Sequence, residues 1–282
     1  MIVCKTIAEI RRTVAAARAA GKTIGLVPTM GALHEGHMSL VAACREHCGF
    51  TVVSIFVNPT QFGPDEDYHR YPRAEAADLA ACRRGGVDAV FAPSVAEMYP
   101  AGAASEVHVG RIGSVLCGRS RPTHFAGVAT VVAKLFKTVA PDKAFFGAKD
   151  FQQTVVVRRM VADLNLPVEV VVCPTVREAD GLAMSSRNSY LSAEERRQAA
   201  ALSQALFMAR DMVTQRYPPA AEVVSAIRSH LSRCAPDGRI DYVAVVDPTD
   251  LLDVKTTDRA VLVALAVKFG ATRLIDNVLI EG

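Results

Sequence analysis

Strand-like and helix-like segments alternate between residues 24 and 173, and this alternation constrains the fold more than any other feature of the sequence. The strand-like runs are short, apolar and rich in β-branched residues, and they lie at 24–28, 51–57, 88–92, 143–146 and 168–173. Strands that alternate with helices in this way predict a parallel sheet with helices on its faces. Continuous apolar strands also indicate burial on both faces. We therefore expect an α/β domain built on a doubly wound parallel sheet.

The pattern changes towards both ends of the chain. Near the N-terminus, Thr6 and Glu9 have the spacing of a capping box, which predicts a helix as the first element. After residue 187, a second capping box at 192–195 predicts a long helix to about residue 216, and a further helix should end near 234. Three strand-like runs follow, at 240–246, 260–267 and 273–279. The sequence therefore predicts a smaller C-terminal α+β domain, with residues 1–176 in the first domain and residues 177–282 in the second.

Charge, hydropathy and cysteine usage exclude several classes of protein. The 32 basic and 29 acidic side chains balance to +3, which is too little for affinity built on neutralising a nucleic acid. The apolar stretch at 260–267 is far shorter than the roughly 20 residues that a membrane helix needs. The seven cysteines show neither zinc-site pairs nor a disulfide framework. We expect a cytoplasmic protein with reduced thiols that binds neither nucleic acid nor membrane.

The segment Pro-Thr-Met-Gly-Ala-Leu-His-Glu-Gly-His, at residues 28–37, leaves the first strand of the alternating region. Open parallel sheets bind their ligands at such strand exits. His34 and His37 are three residues apart, whereas the zinc-protease motif spaces its histidines four apart, so zinc is the minor alternative. Imidazoles at a helix N-terminus suit a polyphosphate. Two surface histidines beside a turn are the competing interpretation.

Two further polar segments also follow strands. Asn-Pro-Thr-Gln-Phe-Gly, at 58–63, offers neutral amides for hydroxyl or carboxylate groups, although an ordinary turn explains it as well. Gly-Ala-Lys-Asp, at 147–150, precedes a helix that carries Gln152 and Gln153. Its lysine suits a phosphate and its aspartate suits ribose hydroxyls, with a helix cap as the alternative for Asp150.

A fourth segment, Met-Ser-Ser-Arg-Asn at 184–188, lies in an aperiodic stretch from 176 to 190. A cation and hydroxyl groups on a mobile loop are typical of segments that close on a nucleotide. An interdomain linker would have a similar composition.

Taken together, these segments resemble the pantoate–β-alanine ligase family of the HIGH-motif nucleotidylyltransferase superfamily. The resemblance covers essentially the whole chain and also includes Tyr-Pro-Arg at 71–73 and Arg-Pro-Thr-His-Phe at 121–125. It implies a Rossmann-like sheet for nucleotide and pantoate, and a C-terminal lid domain. The implied reaction is the ATP-dependent condensation of pantoate with β-alanine through pantoyl adenylate, with release of AMP and pyrophosphate. The alternative is another small-molecule nucleotidylyltransferase of the same superfamily.

The resemblance also implies roles for particular residues. His34, His37, Lys149 and Arg187 would be catalytic, and Gln61 and Gln153 would bind pantoate. The ATP-binding residues would be Met30, Gly31, Ala32, Leu33, His34, Glu35, Gly36, His37, Gly147, Ala148, Lys149, Asp150, Val176, Met184, Ser185, Ser186 and Arg187.

The resemblance finally implies a homodimer without a prosthetic group. Asp78, the acidic residue considered for magnesium, has alanines at 76, 77, 80 and 81, so we expect Mg²⁺ to arrive with ATP and no protein-held metal. Ala148 and Thr123 depart from the family pattern, but neither removes a functional group named above.

Overall fold

A computed structural model of the chain describes residues 1–281. Over these residues the first domain contains a six-stranded sheet in which every pairing is parallel. Its strands are β1 (Ile2–Cys4), β2 (Ile24–Thr29), β3 (Phe50–Ile55), β4 (Ala89–Phe91), β5 (Lys143–Gly147) and β6 (Glu169–Cys173).

The strand order is β1-β4-β3-β2-β5-β6, so the order reverses between β2 and β5. These two strands pair directly, with Gly25 opposite Lys143 and Leu26 opposite Ala144. Loops that leave neighbouring strands at such a reversal diverge to opposite faces and open a crevice between them. The segments at 30–37 and 147–150 both begin at this crevice.

Helices cover both faces of the sheet, which confirms the predicted doubly wound α/β fold. One face is covered by α1, α6 and α7, and the other by α2 and α3. The helices of this domain are α1 (Ile7–Ala19), α2 (Glu35–His47), α3 (Glu75–Arg84), the single turns α4 (Val95–Met98) and α5 (Cys117–Ser120), α6 (His124–Val139) and α7 (Phe151–Asp163).

The second domain packs three helices on an antiparallel sheet with the order β7-β8-β9. Its core includes Leu202, Ile227 and Leu265, which are all fully buried. Its elements are α8 (Ala193–Ala199), α9 (Ala201–Arg216), α10 (Ala220–Cys234), β7 (Gly238–Val246), β8 (Val261–Phe269) and β9 (Thr272–Ile280). The predicted α+β character of this domain is confirmed.

Two sequence predictions about the elements were wrong. The first element is β1, not a helix, because a three-residue edge strand is too short to show any periodicity. The helix predicted from 193 to 216 is divided at Ala200, although that residue keeps nearly helical angles, with φ −60° and ψ −23°. Most other predicted boundaries lie within a few residues of the observed ones.

The two domains share an apolar contact in which Val155 of α7 clusters with Leu262 and Ala264 of β8. Arg177 donates two hydrogen bonds to Asp276 of β9, at 2.6 and 3.0 Å. The predicted domain boundary between residues 176 and 177 lies in the connection from β6 to the helices of the second domain, and it stays a prediction. None of the helices within residues 1–281 has the length and apolar character needed to cross a membrane.

Candidate active site

A cavity of about 230 Å³ opens at the carboxyl ends of β2 and β5. Most of the predicted site residues line it, namely Met30, His34, Gly36, His37, Gln61, Gly147, Lys149, Asp150, Gln153, Val176, Met184, Ser185, Ser186 and Arg187. Five predicted ATP-binding residues do not line it, namely Gly31, Ala32, Leu33, Glu35 and Ala148. The structure thus brings segments separated by more than a hundred residues to one place.

His34 and His37 support each other at the start of α2. His34 is the N-cap of this helix, and its ring lies beside that of His37, with centroids 4.0 Å apart and ring planes tilted by 42°. The backbone N–H of Gly36 donates to Nδ1 of His34 at 3.2 Å, and the backbone N–H of His34 donates to Nδ1 of His37 at 3.3 Å. Because both Nδ1 atoms accept, each neutral ring carries its proton on Nε2.

Both histidines are neutral near neutral pH. Burial, followed by the neighbouring His34 ring, lowers the pKa of His37 to about 3. Burial and then the Lys149 ammonium lower the pKa of His34. The pair therefore offers two N–H donors to an anion without carrying charge of its own.

Asp78 holds the loop that precedes α2. Its carboxylate accepts the backbone N–H of Ala32 at 2.9 Å and that of Leu33 at 2.7 Å, and the residue is only 2% exposed. Gly31 has φ +88°, and a Cβ at this position would lie 2.8 Å from the Asp78 carboxylate. The sequence suggested Asp78 as a weak magnesium candidate, whereas the structure uses its charge to fix the loop.

Lys149 and Asp150 follow β5 in a single 3-10 turn (Ala148–Asp150). The Lys149 Nζ lies 3.8 Å from the Asp150 carboxylate, and its side chain is 20% exposed. The side-chain amide of Asn277, on β9, donates to the carbonyls of Ala148 and Lys149 at 3.0 and 2.8 Å. The second domain thus anchors the backbone that carries the lysine.

Gln61 is oriented by the buried residue Asn58. The Asn58 amide donates to the Gln61 Oε1 at 3.2 Å, and the Tyr99 hydroxyl donates to the Asn58 Oδ1 at 2.9 Å. With Oε1 engaged, Gln61 presents its NH₂ group, which lies 2.9 Å from the Met30 sulfur. This turn packs against α6 at Gly127, where a Cβ would lie 2.3 Å from the Thr60 carbonyl oxygen.

The structure separates the adjacent glutamines of α7. Gln152 is buried, accepts from the Cys117 N–H and donates to the carbonyls of Ile112 and Val115. Gln153 faces the cavity, and its side chain has no hydrogen-bond partner within residues 1–281. Gln153 is therefore the glutamine that is available to a ligand.

Arg187 closes the cavity from the 3-10 turn Ser186–Tyr190. Its guanidinium donates to both oxygens of Asp67, at 2.8 and 2.9 Å, and stacks over the Tyr71 ring. Burial opposes the charge of Arg187, but the Asp67 carboxylate outweighs burial and raises its pKa. The Ser186 hydroxyl donates to the Ala32 carbonyl, so this turn and the His34 loop are joined directly.

Arg121 and His124 are cavity residues to which the sequence analysis assigned no role. Arg121 donates to both oxygens of Glu66, at 2.5 and 2.6 Å, and also to the Gln61 carbonyl. His124 is the first residue of α6, and Val128 and Val131 of the same helix line the cavity beside it. The only sequence signal was the Arg-Pro-Thr-His-Phe segment, which follows no strand. Asn277 gave no local signal, and the signal at Asp78 pointed to magnesium and not to the loop that it holds.

No group of three or more His, Cys, Asp or Glu side chains within the described chain could hold a metal ion. Asp78, the acidic residue considered for magnesium, has both carboxylate oxygens bound to backbone N–H groups.

Comparison with known proteins points to a single family. The family model described as pantoate-beta-alanine ligase matches residues 2–279. A pantothenate synthetase from Moorella thermoacetica is 54% identical over 281 residues, which cover 100% of this chain and 99% of the relative. A pantothenate synthetase 1 from Bradyrhizobium diazoefficiens is 53% identical, with 100% and 99% covered.

Solved structures agree with these relatives. The crystal structure of pantothenate synthetase from Thermus thermophilus has a TM-score of 0.94 at 48% identity, with 99% of each chain covered. The crystal structure of pantoate-beta-alanine ligase from Francisella tularensis, complexed with beta-gamma ATP and beta-alanine, has a TM-score of 0.82 at 32% identity, with 99% and 97% covered. Sequence and fold agree over the full length of the chain, which therefore belongs to the pantoate–β-alanine ligase family.

Proposed function

We propose that this chain condenses pantoate with β-alanine at the expense of ATP, in two steps through pantoyl adenylate. The observation that carries the proposal is the convergence of the 30–37, 58–63, 147–150 and 184–187 segments on one cavity at the sheet reversal. The relatives and structures described above are all named for this ligase activity. The comparisons therefore do not favour another nucleotidylyltransferase of the superfamily.

In the first step a carboxylate oxygen of pantoate attacks the α-phosphorus of ATP, and the bond to pyrophosphate breaks. Two anions must approach each other, so positioning and electrostatic stabilisation are the main catalytic tasks. Lys149 supplies a cation at the β5 exit, and the Nε2–H groups of His34 and His37 supply neutral donors. We assign His37 the role of hydrogen-bond donor to phosphate.

Arg187 would reach phosphate only by exchanging its carboxylate partner. In the present structure both of its hydrogen bonds go to Asp67. A triphosphate offers the same bidentate geometry with a larger negative charge. We infer that Arg187 moves from Asp67 to phosphate when the nucleotide binds.

The nucleotide would lie across the sheet reversal. We assign Asp150 to the ribose hydroxyls, and Val176, Met184 and Ser185 to the walls of the nucleotide site, because all four line the cavity. Mg²⁺ would arrive as part of the ATP complex, because the carboxylate of Asp78, the residue considered for it, is bound to two backbone N–H groups.

Pantoate would lie between Gln61, Gln153 and the apolar face of α6. Val128, Val131 and Leu135 share that face and suit the two methyl groups of pantoate. Amide N–H groups can hold a carboxylate without the strong ion pair that would weaken its nucleophilicity.

In the second step the β-alanine amine attacks the acyl carbon, AMP leaves and the amine releases a proton. Water would destroy the acyl adenylate, so the site must exclude it. The position of Arg187 and Ser186 over the cavity supports a lid role for residues 177–282.

The direct test is pyrophosphate–ATP isotope exchange with pantoate and β-alanine supplied or omitted in turn. Exchange should require pantoate and proceed without β-alanine, because adenylation is complete before the amine enters. AMP should accumulate catalytically only when all three substrates are present. Exchange that needs β-alanine from the start would exclude the two-step mechanism. We also propose a homodimer, for which light scattering of the purified protein is the test.

A further inference from the structure

Three histidines line the cavity, and their hydrogen bonds make two of them donors and the third an acceptor. His34 and His37 accept at Nδ1 and therefore carry the proton on Nε2. His124 has its Nδ1 2.8 Å from the backbone carbonyl of Gln61. A carbonyl oxygen only accepts, so His124 donates from Nδ1 and keeps a lone pair on Nε2.

That lone pair has no partner within residues 1–281, although the ring is one wall of the cavity. The ring is also held neutral, because burial and then the Arg121 guanidinium lower the pKa of His124 to about 3. Its position as the first residue of α6 acts in the same direction, since a helix N-terminus disfavours a cation. His124 therefore presents a hydrogen-bond acceptor to any ligand in this part of the cavity.

The other polar groups beside His124 mostly offer donors. The Gln61 Oε1 accepts from Asn58, and the Asn58 Oδ1 is itself engaged. The guanidinium of Arg121 has only donors. The amide oxygen of Gln153, which also lines the cavity, is the other acceptor without a partner in the described part of the chain. A ligand with two hydroxyl groups therefore finds two uncommitted acceptors, the Gln153 Oε1 and the His124 Nε2.

We propose that Nε2 of His124 accepts a hydrogen bond from a hydroxyl group of pantoate and thereby selects a hydroxy acid over its deoxy analogue. This inference rests on the proposed function, because it assigns a specificity-determining contact within the same site. It also orients the substrate: the lone pair of Nε2 repels a carboxylate, so the carboxylate points away from His124 and towards Lys149 and His37.

The β-alanine ammonium is the other donor that this lone pair could accept. Arg121 disfavours a positive charge beside the ring, but both oxygens of Glu66 are bound to Arg121 and offset its charge. The local charge therefore does not choose between the two donors, and the KM for β-alanine is measured for this reason in the test below.

The test combines one variant with two substrate analogues. His124→Asn places an amide NH₂ where Nδ1 was, which keeps a donor for the Gln61 carbonyl. The shorter side chain has no atom at the position of Nε2, so the acceptor there is removed. The analogues are 2-hydroxy-3,3-dimethylbutanoate, which lacks the terminal hydroxyl, and 4-hydroxy-3,3-dimethylbutanoate, which lacks the hydroxyl beside the carboxylate. kcat/KM is measured by acid-dependent pyrophosphate–ATP exchange for pantoate and for each analogue.

The parent protein should prefer pantoate over both analogues, because a site built to bind a hydroxyl group rejects the compound that lacks it. In His124→Asn the preference over one analogue should fall by about ten- to a hundredfold, while the preference over the other stays. Unchanged preferences over both analogues would overturn the proposal. So would a raised KM for β-alanine with unchanged preferences, which would assign the lone pair to the amine.

A second measurement covers the case in which the variant does not fold. Nitrogen-15 NMR of the parent protein should show an unprotonated Nε2 of His124. Its resonance should shift when pantoate is added, and it should stay unshifted with one of the two analogues, the one that lacks the hydroxyl bound by His124. A protonated Nε2, or equal shifts with all three acids, would refute the assignment. Absence of any pantoate-dependent exchange in the parent protein would instead count against the proposed function itself.

Discussion

The two loops that meet at the sheet reversal are held in different ways. The loop at 30–37, after β2, is supported mainly from within its own domain, by Asp78 and by the reciprocal hydrogen bonds of its histidines, with one further hydrogen bond from Ser186 of the second domain. The turn at 147–150, after β5, is anchored from the second domain, by Asn277.

This difference separates two tasks of the site. The histidine loop keeps most of its support whenever the first domain is folded, since its main supports are α2 and α3. The lysine turn has its full set of contacts only when β9 is docked against it. We therefore expect nucleotide binding to depend mainly on the first domain. The contribution of Lys149 to adenylation should depend on both domains.

The largest effect is expected at the lysine itself. Lys149→Ala should lower kcat for adenylation by about a hundred- to a thousandfold, because a cation directed at developing charge acts chiefly in the transition state. ATP affinity should change much less. Isotope exchange gives the rate and equilibrium titration gives the affinity, with the exposed Lys137→Ala as control. A raised KM for ATP with unchanged kcat would mean that Lys149 only anchors the nucleotide.

The support of the histidine loop is tested by Asp78→Asn. The amide oxygen can accept one of the two backbone N–H groups, but the NH₂ group faces the other, so the free energy of unfolding should fall by about 2 to 3 kcal/mol. Glu75→Gln is the matched control, because this exposed carboxylate lies in the same helical turn and its pair with Lys5 is at the surface. Urea unfolding measures both variants, and equal losses would show that Asp78 has no special role.

Asn277→Asp tests the support from the second domain. A carboxylate would repel the carbonyls of Ala148 and Lys149, so kcat for adenylation should fall about tenfold. ATP affinity should stay nearly constant. Because Asn277 is a positioning residue that acts through Lys149, the effect should disappear in the Lys149→Ala background. Additive losses in the double variant would contradict this, and the exposed Asn165→Asp serves as control.

The last prediction concerns the pH dependence of stability. The pKa of His37 and of His124 is about 3 in the folded protein and near 6.5 when unfolded. Above pH 6.5 neither state binds the protons, but below it only the unfolded state does, so stability should fall by about 1.4 kcal/mol per pH unit for each histidine. The fall should continue until the folded rings protonate near pH 3.

Urea unfolding between about pH 7.5 and pH 5 measures this slope. In His124→Asn the slope should be smaller by about 1.4 kcal/mol per pH unit. Above pH 6.5 the free energies of unfolding of the variant and the parent protein should differ by a constant amount. An unchanged slope in the variant would mean that His124 is protonated in the folded state.

Local patterns were sufficient to predict the parallel sheet, the smaller α+β domain and the polar segments at the strand exits. The structure places His34, Lys149 and Gln153 at one cavity because carboxyl ends of parallel strands share an edge, which follows from topology alone. Local patterns did not predict β1 or the division of the helix at Ala200, because neither feature alters the spacing of apolar residues along the chain. The roles of the site residues stay predictions until the measurements above are made.

Tertiary structure decided which polar residues serve the site and in what form. Asp78 and Asn277 contact their loops across 46 and 128 residues of chain, and neither has a local pattern that indicates its partner. The adjacent residues Gln152 and Gln153 have identical side chains, and the family resemblance pointed to Gln153. Helix packing supplies the physical reason, because it turns Gln152 inward and leaves Gln153 for a ligand. The sequence supplies the three histidines that line the cavity, but the proton position on each depends on a hydrogen-bond partner that only the folded chain supplies.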